Sequence, residues 1–161
     1  MKRLLAALAL LAAVAPLATP GIALAQTVKD PNVTEVRTND EAMNAAMRKA
    51  RDTLSRFIEM SKEKVPSRYS IKMPLTTGGN TEHIWMVVTG YDGERFTGKL
   101  SNTPAFSETL QAGSTVDVAA SEISDWMVQR EDGIYGAYTL RVLLPRLPKE
   151  QADAYRARLR D

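Results

Sequence analysis

His83 is the single histidine among 161 residues, and the chain has no cysteine. It sits between Glu82 and the apolar run Ile84-Trp85-Met86-Val87-Val88. A second pairing of acid and indole, Asp125-Trp126, comes later in the chain. A carboxylate beside an indole can be held protonated, because its charged form is desolvated. Glu82 or Asp125, with His83 as base, is therefore the acid–base set this chain offers, and hydrolysis is the chemistry it would suit. Such a site requires Glu82, His83 and Asp125 to meet within roughly 3 Å in an open cleft. The same residues have another use. Indole faces stack on sugars and other flat ligands, so Glu82, His83, Trp85, Asp125 and Trp126 also suit a surface for a ligand or partner. They have a purely structural use as well. Both indoles can be core anchors, with Glu82 or Asp125 accepting from their N–H groups.

Other chemistries lack their parts. One imidazole and no thiolate leave zinc leaning on carboxylates, and Asp92-Gly93-Glu94 is too short for a calcium loop. No metal or other cofactor is expected, and no catalytic residue is assigned beyond the three weak candidates above. There is no Gly-x-Ser-x-Gly elbow, and Gly78-Gly79 precedes a strand rather than a helix, so no phosphate cradle forms there. Lys plus Arg number 21 against 19 Asp plus Glu. Setting aside Lys2 and Arg3 leaves 19 against 19, which gives no reason to expect nucleic acid as a partner.

The elements that must position these residues begin after an export signal. Lys2 and Arg3, the apolar run Leu4 to Val14 and the small-residue triplet Ala23-Leu24-Ala25 read as a signal peptide over 1–25, cut between Ala25 and Gln26. The expected location is the periplasm or the outside of the cell, with no stable membrane anchor after cleavage. Residues 26–37 read as an extended leader, 38–148 as one α+β domain and 149–161 as a basic C-terminal helix or tail. Thr38 and Glu41 have capping-box spacing. Met43, Met47, Ala50, Leu54 and Phe57 form one apolar stripe, so the spacing predicts a single long helix from Thr38 to about Lys64. The period then changes to two. Strands are expected at Tyr69–Met73, Glu82–Val88, Phe96–Leu100, Thr115–Ala119, Ile123–Gln129 and Ile134–Leu144, with a helical turn at Ser107–Gln111. The sum is one N-terminal helix packed on a curved, partly closed antiparallel sheet of about six strands, with a short C-terminal helix.

An ordered series of segments carries a resemblance. These are Glu82-His83-Ile84-Trp85, then Phe96-Thr97-Gly98-Lys99-Leu100-Ser101-Asn102-Thr103-Pro104, then Gly113 before a Val-rich strand. Ile123-Ser124-Asp125-Trp126 and Gly136-Ala137-Tyr138-Thr139 complete it. Together, over about Ala42 to Leu144, they resemble the YegJ-like family, a bacterial domain of unknown function. The resemblance implies a common fold and carries no activity, so no catalytic residue comes with it. The expected function is a non-enzymatic exported module whose partner is a protein or small ligand in the periplasm. The alternatives are a hydrolase of envelope polymers acting through Glu82, His83 and Asp125, and an inhibitor or immunity-type protein. The first requires the strands bearing Trp85 and Trp126 to be neighbours in one bent sheet.

Overall fold

The computed structural model describes residues 40–161. The expected signal peptide, the leader and Thr38 lie outside that range. Asp40 caps the first helix. Its Oδ1 accepts from the Met43 amide at 3.1 Å, and its Oδ2 accepts from Arg146 at 2.7 Å. Helix α1 (Glu41–Asp52) therefore starts on an aspartate cap.

The single long helix is corrected to two. Helix α1 ends at Asp52, and α2 (Leu54–Lys62) begins after Thr53, whose ψ of 11° is not helical. The break has a visible cause. The Thr53 hydroxyl back-bonds to the Lys49 carbonyl at 2.8 Å, and Trp126 Nε1 donates to the Ala50 carbonyl at 3.0 Å and to Thr53 Oγ1 at 3.1 Å. The indole takes the Ala50 carbonyl, which a continuous helix would use within its own ladder.

Six antiparallel strands follow: β1 (Arg68–Thr77), β2 (Asn80–Tyr91), β3 (Arg95–Leu100), β4 (Thr115–Ala119), β5 (Asp125–Arg130) and β6 (Gly133–Gly136). Their order is β4-β3-β2-β1-β5-β6, an open sheet with two edges, which corrects the partly closed expectation. The β6 edge receives one bridge from the C-terminal tail, where the Arg160 amide donates to the Ile134 carbonyl at 2.9 Å. Residues 101–114 contain no helical turn. Ser107 Oγ instead accepts from the Thr109 and Leu110 amides, which satisfies those donors locally.

The last expected strand is also corrected. Only Gly133–Gly136 is extended; Ala137 enters the left-handed region at φ 52°, and α3 (Tyr138–Leu143) runs from there. Helix α3 has no cap of its own. Asp125, from the start of β5, supplies it: Oδ1 accepts from the Tyr138 amide at 3.1 Å and Oδ2 from the Thr139 amide at 2.8 Å. Gly136 makes the approach possible. It sits at φ +72°, and a Cβ there would lie 2.4 Å from both the Trp126 carbonyl oxygen and its ring. Helix α4 (Lys149–Arg158) closes the chain, with Ala152 buried beneath it.

Strand pairing sets which side chains share a face. Ile71 pairs with Met86 on one side and Trp126 on the other, so all three project to the face that α1 and α2 cover. Leu54, Phe57 and Met60 pack there against Ile84, Phe96 and Val128. Each fully buried side chain of this kind contributes about 1.5–3 kcal/mol of transfer free energy. Lys72 pairs with Trp85 and Asp125, so these three belong to the opposite face. The two indoles therefore occupy opposite faces, and β1 separates β2 from β5. The expectation of adjacent indole-bearing strands is overturned by β1, which pairs with both.

Candidate functional site

The sheet face opposite α1 and α2, which α3 meets at Lys72 and Asp125, is where the sequence candidates divide. Trp85 is half-buried there, flanked along its strand by exposed His83 and half-buried Val87; Met127 of β5 shares the face. Among the described residues, no member of the helix-packed core comes from this row. Lys72 stands beside Trp85, its Nζ 5.7 Å from the ring centroid, which places a cation near an electron-rich face. The same ammonium donates to Thr139 Oγ1 at 3.3 Å. Burial lowers the Lys72 pKa from its ordinary value, and the Asp125 charge pulls it back up.

Asp125 is fully buried, and its carboxylate is occupied. Oδ1 accepts from the Trp126 and Tyr138 amides, and Oδ2 accepts from the Thr139 amide and, at 2.7 Å, from its hydroxyl. Burial raises its pKa. The bonds from Thr139, Trp126 and Tyr138 oppose that rise. A carboxylate so enclosed caps a helix; it has no lone pair aimed at solvent with which to take a proton from a substrate. Trp126 is likewise sealed, its N–H satisfied by the α1–α2 joint rather than by Glu82 or Asp125.

Glu82 is engaged elsewhere. Its two oxygens accept from the Ala105 and Phe106 amides at 3.1 and 3.3 Å, which holds the long connection between β3 and β4 against β2. His83 Nδ1 shares a hydrogen bond of 2.6 Å with Ser124 Oγ. Partial burial of the ring, which sits over Ser124 while the rest of the residue is open to solvent, lowers the His83 pKa, and the Lys72 charge lowers it further. This hydroxyl–imidazole pair has the composition of a nucleophile and its base. Ser124, however, is only 2% exposed, so no carbonyl can reach its oxygen. No hydrogen bond among the described residues joins any two of Glu82, His83 and Asp125. The structure thus places Glu82, His83 and Trp85 along one strand and removes Asp125 and Trp126 from any surface.

Sequence reasoning missed Lys72, Ser124 and Thr139. Lys72 was legible in part, because it alternates against Ile71 and Met73 and so had to face away from the core. Ser124 and Thr139 fall within the segments that carry the resemblance, but no role came with them, because they acquire their partners only through pairing of distant segments. Among the described residues no cluster of three or more metal-ligating side chains occurs, and no helix is long and apolar enough to cross a membrane.

Comparison with known proteins adds kinship. Residues 40–159 match the family described as "Uncharacterized protein conserved in bacteria (DUF2314)". The "Uncharacterized protein YegJ" of Escherichia coli (strain K12) is 39% identical over 119 residues, covering 74% of this chain and 78% of that protein. A putative ankyrin repeat protein of Neisseria meningitidis serogroup B is 27% identical over 128 residues. That match covers 73% of this chain and 51% of the relative, so the chain spans about half of that protein's length. No solved structure matches at the same stringency.

Proposed function

The chain belongs to the DUF2314 family of bacterial proteins, and for this member we propose the role of an exported, non-catalytic binding module. Its surface is the part of the sheet face opposite α1 and α2 that carries His83, Trp85, Val87 and Met127, bordered by Lys72 where α3 meets the sheet. The observation that carries this reading is the position of Trp85: a large aromatic side chain, half-buried, on the face to which α1 and α2 contribute nothing. Apolar surface with a polar rim and an indole at its centre is what partner-binding patches are made of. Glu82 supports the patch by holding the neighbouring loop, and Asp125 by holding α3 in place. Neither touches the ligand. A protein target, as an inhibitor or immunity-type role requires, would use the same face. Hydrolysis through Glu82, His83 and Asp125 finds no support in the geometry, since the three do not meet.

Export is part of the proposal and rests on the leader sequence. The protein recovered from the periplasmic fraction is expected to begin at Gln26. An intact Met1 terminus in that fraction, or recovery in the cytoplasm alone, would refute it. The binding reading is tested by photo-crosslinking in the native envelope. A crosslinker at Val87 or at Met127 is expected to trap the same species, while one at Glu59, exposed on α2, traps none. Trp85→Ala should abolish the adducts while lowering the melting temperature by only about 3–6 °C. Adducts of equal yield from Glu59, or none from either face position, would reject this surface.

A further inference from the structure

The strands send charge of mainly one sign to the face that carries Trp85. Lys72 pairs with Trp85, Lys99 with Val87 and Arg68 with Gln129, so alternation places these cations and Arg95 of β3 on that side. The carboxylates that the strands send there are Asp117 of β4 and Asp125 of β5. Both are committed within the chain. Asp125 is buried and accepts four hydrogen bonds from Trp126, Tyr138 and Thr139. Asp117 is taken by the Arg95 guanidinium, whose Nε donates to it at 2.7 Å and whose Nη2 donates to the same oxygen.

What remains is positive. Among the described residues, no carboxylate forms an ion pair with Arg68, Lys72 or Lys99. Lys99 is exposed and reaches the Thr115 hydroxyl at 3.4 Å and the Gly113 carbonyl at 3.5 Å. Lys72 reaches the Thr139 hydroxyl at 3.3 Å. These bonds are long, and an ammonium can donate more than they use. The apolar centre has a shape to match. Ser70 pairs with Val87 on one side and Met127 on the other, and it is small and buried. A recess therefore lies between two half-buried apolar side chains, with Trp85 beside it and the longer, exposed Arg68 and Lys99 at its border. A neutral polysaccharide would need acceptors that Asp117 and Asp125 no longer offer. A flat bilayer would find Trp85, Val87 and Met127 too recessed to insert. An apolar side chain flanked by carboxylates fills the recess and meets the cations.

We infer that the Trp85 face receives an acidic segment of a protein partner, with an apolar side chain seated over Ser70 and neighbouring Asp or Glu residues meeting Lys72, Lys99 and Arg68. The inference rests on the binding role proposed above and adds the partner's class and charge.

The test places the photo-crosslinker at Val87 of the full chain in the native envelope. It reads both the adduct yield and the sequence of the captured peptide. Lys99→Glu, at an exposed position, should keep the fold and lower the yield about tenfold. Arg48→Glu makes the same charge change at an exposed position of α1 and should leave the yield as it was. The captured peptide should carry more Asp and Glu than Lys and Arg. Equal yields from Lys99→Glu and the parent chain, or a neutral or basic captured peptide, would overturn this inference and leave the binding surface standing. Absence of any adduct at Val87 would remove the surface and the inference together. Co-sedimentation of the purified protein with phosphatidylglycerol vesicles, lost in Lys99→Glu, would assign the cations to an anionic membrane and would also overturn it.

Discussion

Trp126 and Trp85 lie on strands that both pair with β1, and they could hardly be treated more differently. Trp126 is fully enclosed, with its ring and its N–H both engaged: Phe57 tilted at 5.8 Å, Tyr138 near-perpendicular at 5.7 Å, and two acceptors in the α1–α2 joint. Trp85 is half-buried, and among the described contacts its ring has one notable neighbour, the Lys72 ammonium. An indole that closes a core is committed to stability. An indole left on an uncovered face is available to something outside the chain. One residue of strand parity separates the two roles, because Trp126 aligns with Ile71 and Trp85 with Lys72.

The sharpest way to break this contrast is to truncate each indole. Trp126→Ala should cost about 3–5 kcal/mol in urea denaturation, since it opens a cavity and orphans the Ala50 carbonyl. Trp85→Ala should cost about 1 kcal/mol, in keeping with partial burial. Equal losses would mean that the two faces are not distinct. Next in size is Asp125. Replacing it by alanine leaves three amides and the Thr139 hydroxyl without their acceptor, offset in part by relief of carboxylate desolvation. A net loss of about 2 kcal/mol is expected, with hydrogen exchange accelerated first in α3. Exchange rising uniformly instead would show that Asp125 does not latch that helix.

The smallest effect concerns His83, the sole imidazole and so a clean reporter. Its folded-state pKa is depressed below the ordinary 6.5, chiefly by burial and secondarily by Lys72. Its contribution to stability is therefore present above the unfolded-state pKa and is lost as pH falls through the depressed folded-state value. His83→Gln should flatten the stability profile in that acidic window. In a proton-resonance titration, Lys72→Met should raise the His83 midpoint, though not to 6.5, because burial is the larger cause. An unmoved midpoint would remove Lys72 from its surroundings.

Much of this architecture was readable from alternation and spacing. Of the apolar stripe Met43, Met47, Ala50, Leu54 and Phe57, the last three join the core against the sheet, while Met43 is buried outside that cluster and Met47 is half-buried; the strand signals from Tyr69 to Ala119 fall within strands. The family was legible from five short segments whose order mattered more than any one of them. What failed has a common physical origin. The break at Thr53, the αL turn at Ala137 and the start of α3 are all set by Asp125 and Trp126 arriving from β5. Local periodicity carries no trace of a partner that far away. The candidate site suffered for the same reason: residue types suggested that acids and indoles would gather, and strand parity dispersed them.

The interruption at Thr53 also bears on the order of assembly. The indole that takes the Ala50 carbonyl is 76 positions further along the chain. Until that strand has been made and docked, the Ala50 carbonyl has no external donor, and residues 41–62 can run as one straight rod. The crack between α1 and α2 is then a late event, a fingerprint of closure. A newborn chain would carry the longer rod, and the mature fold would shorten it when Trp126 seats.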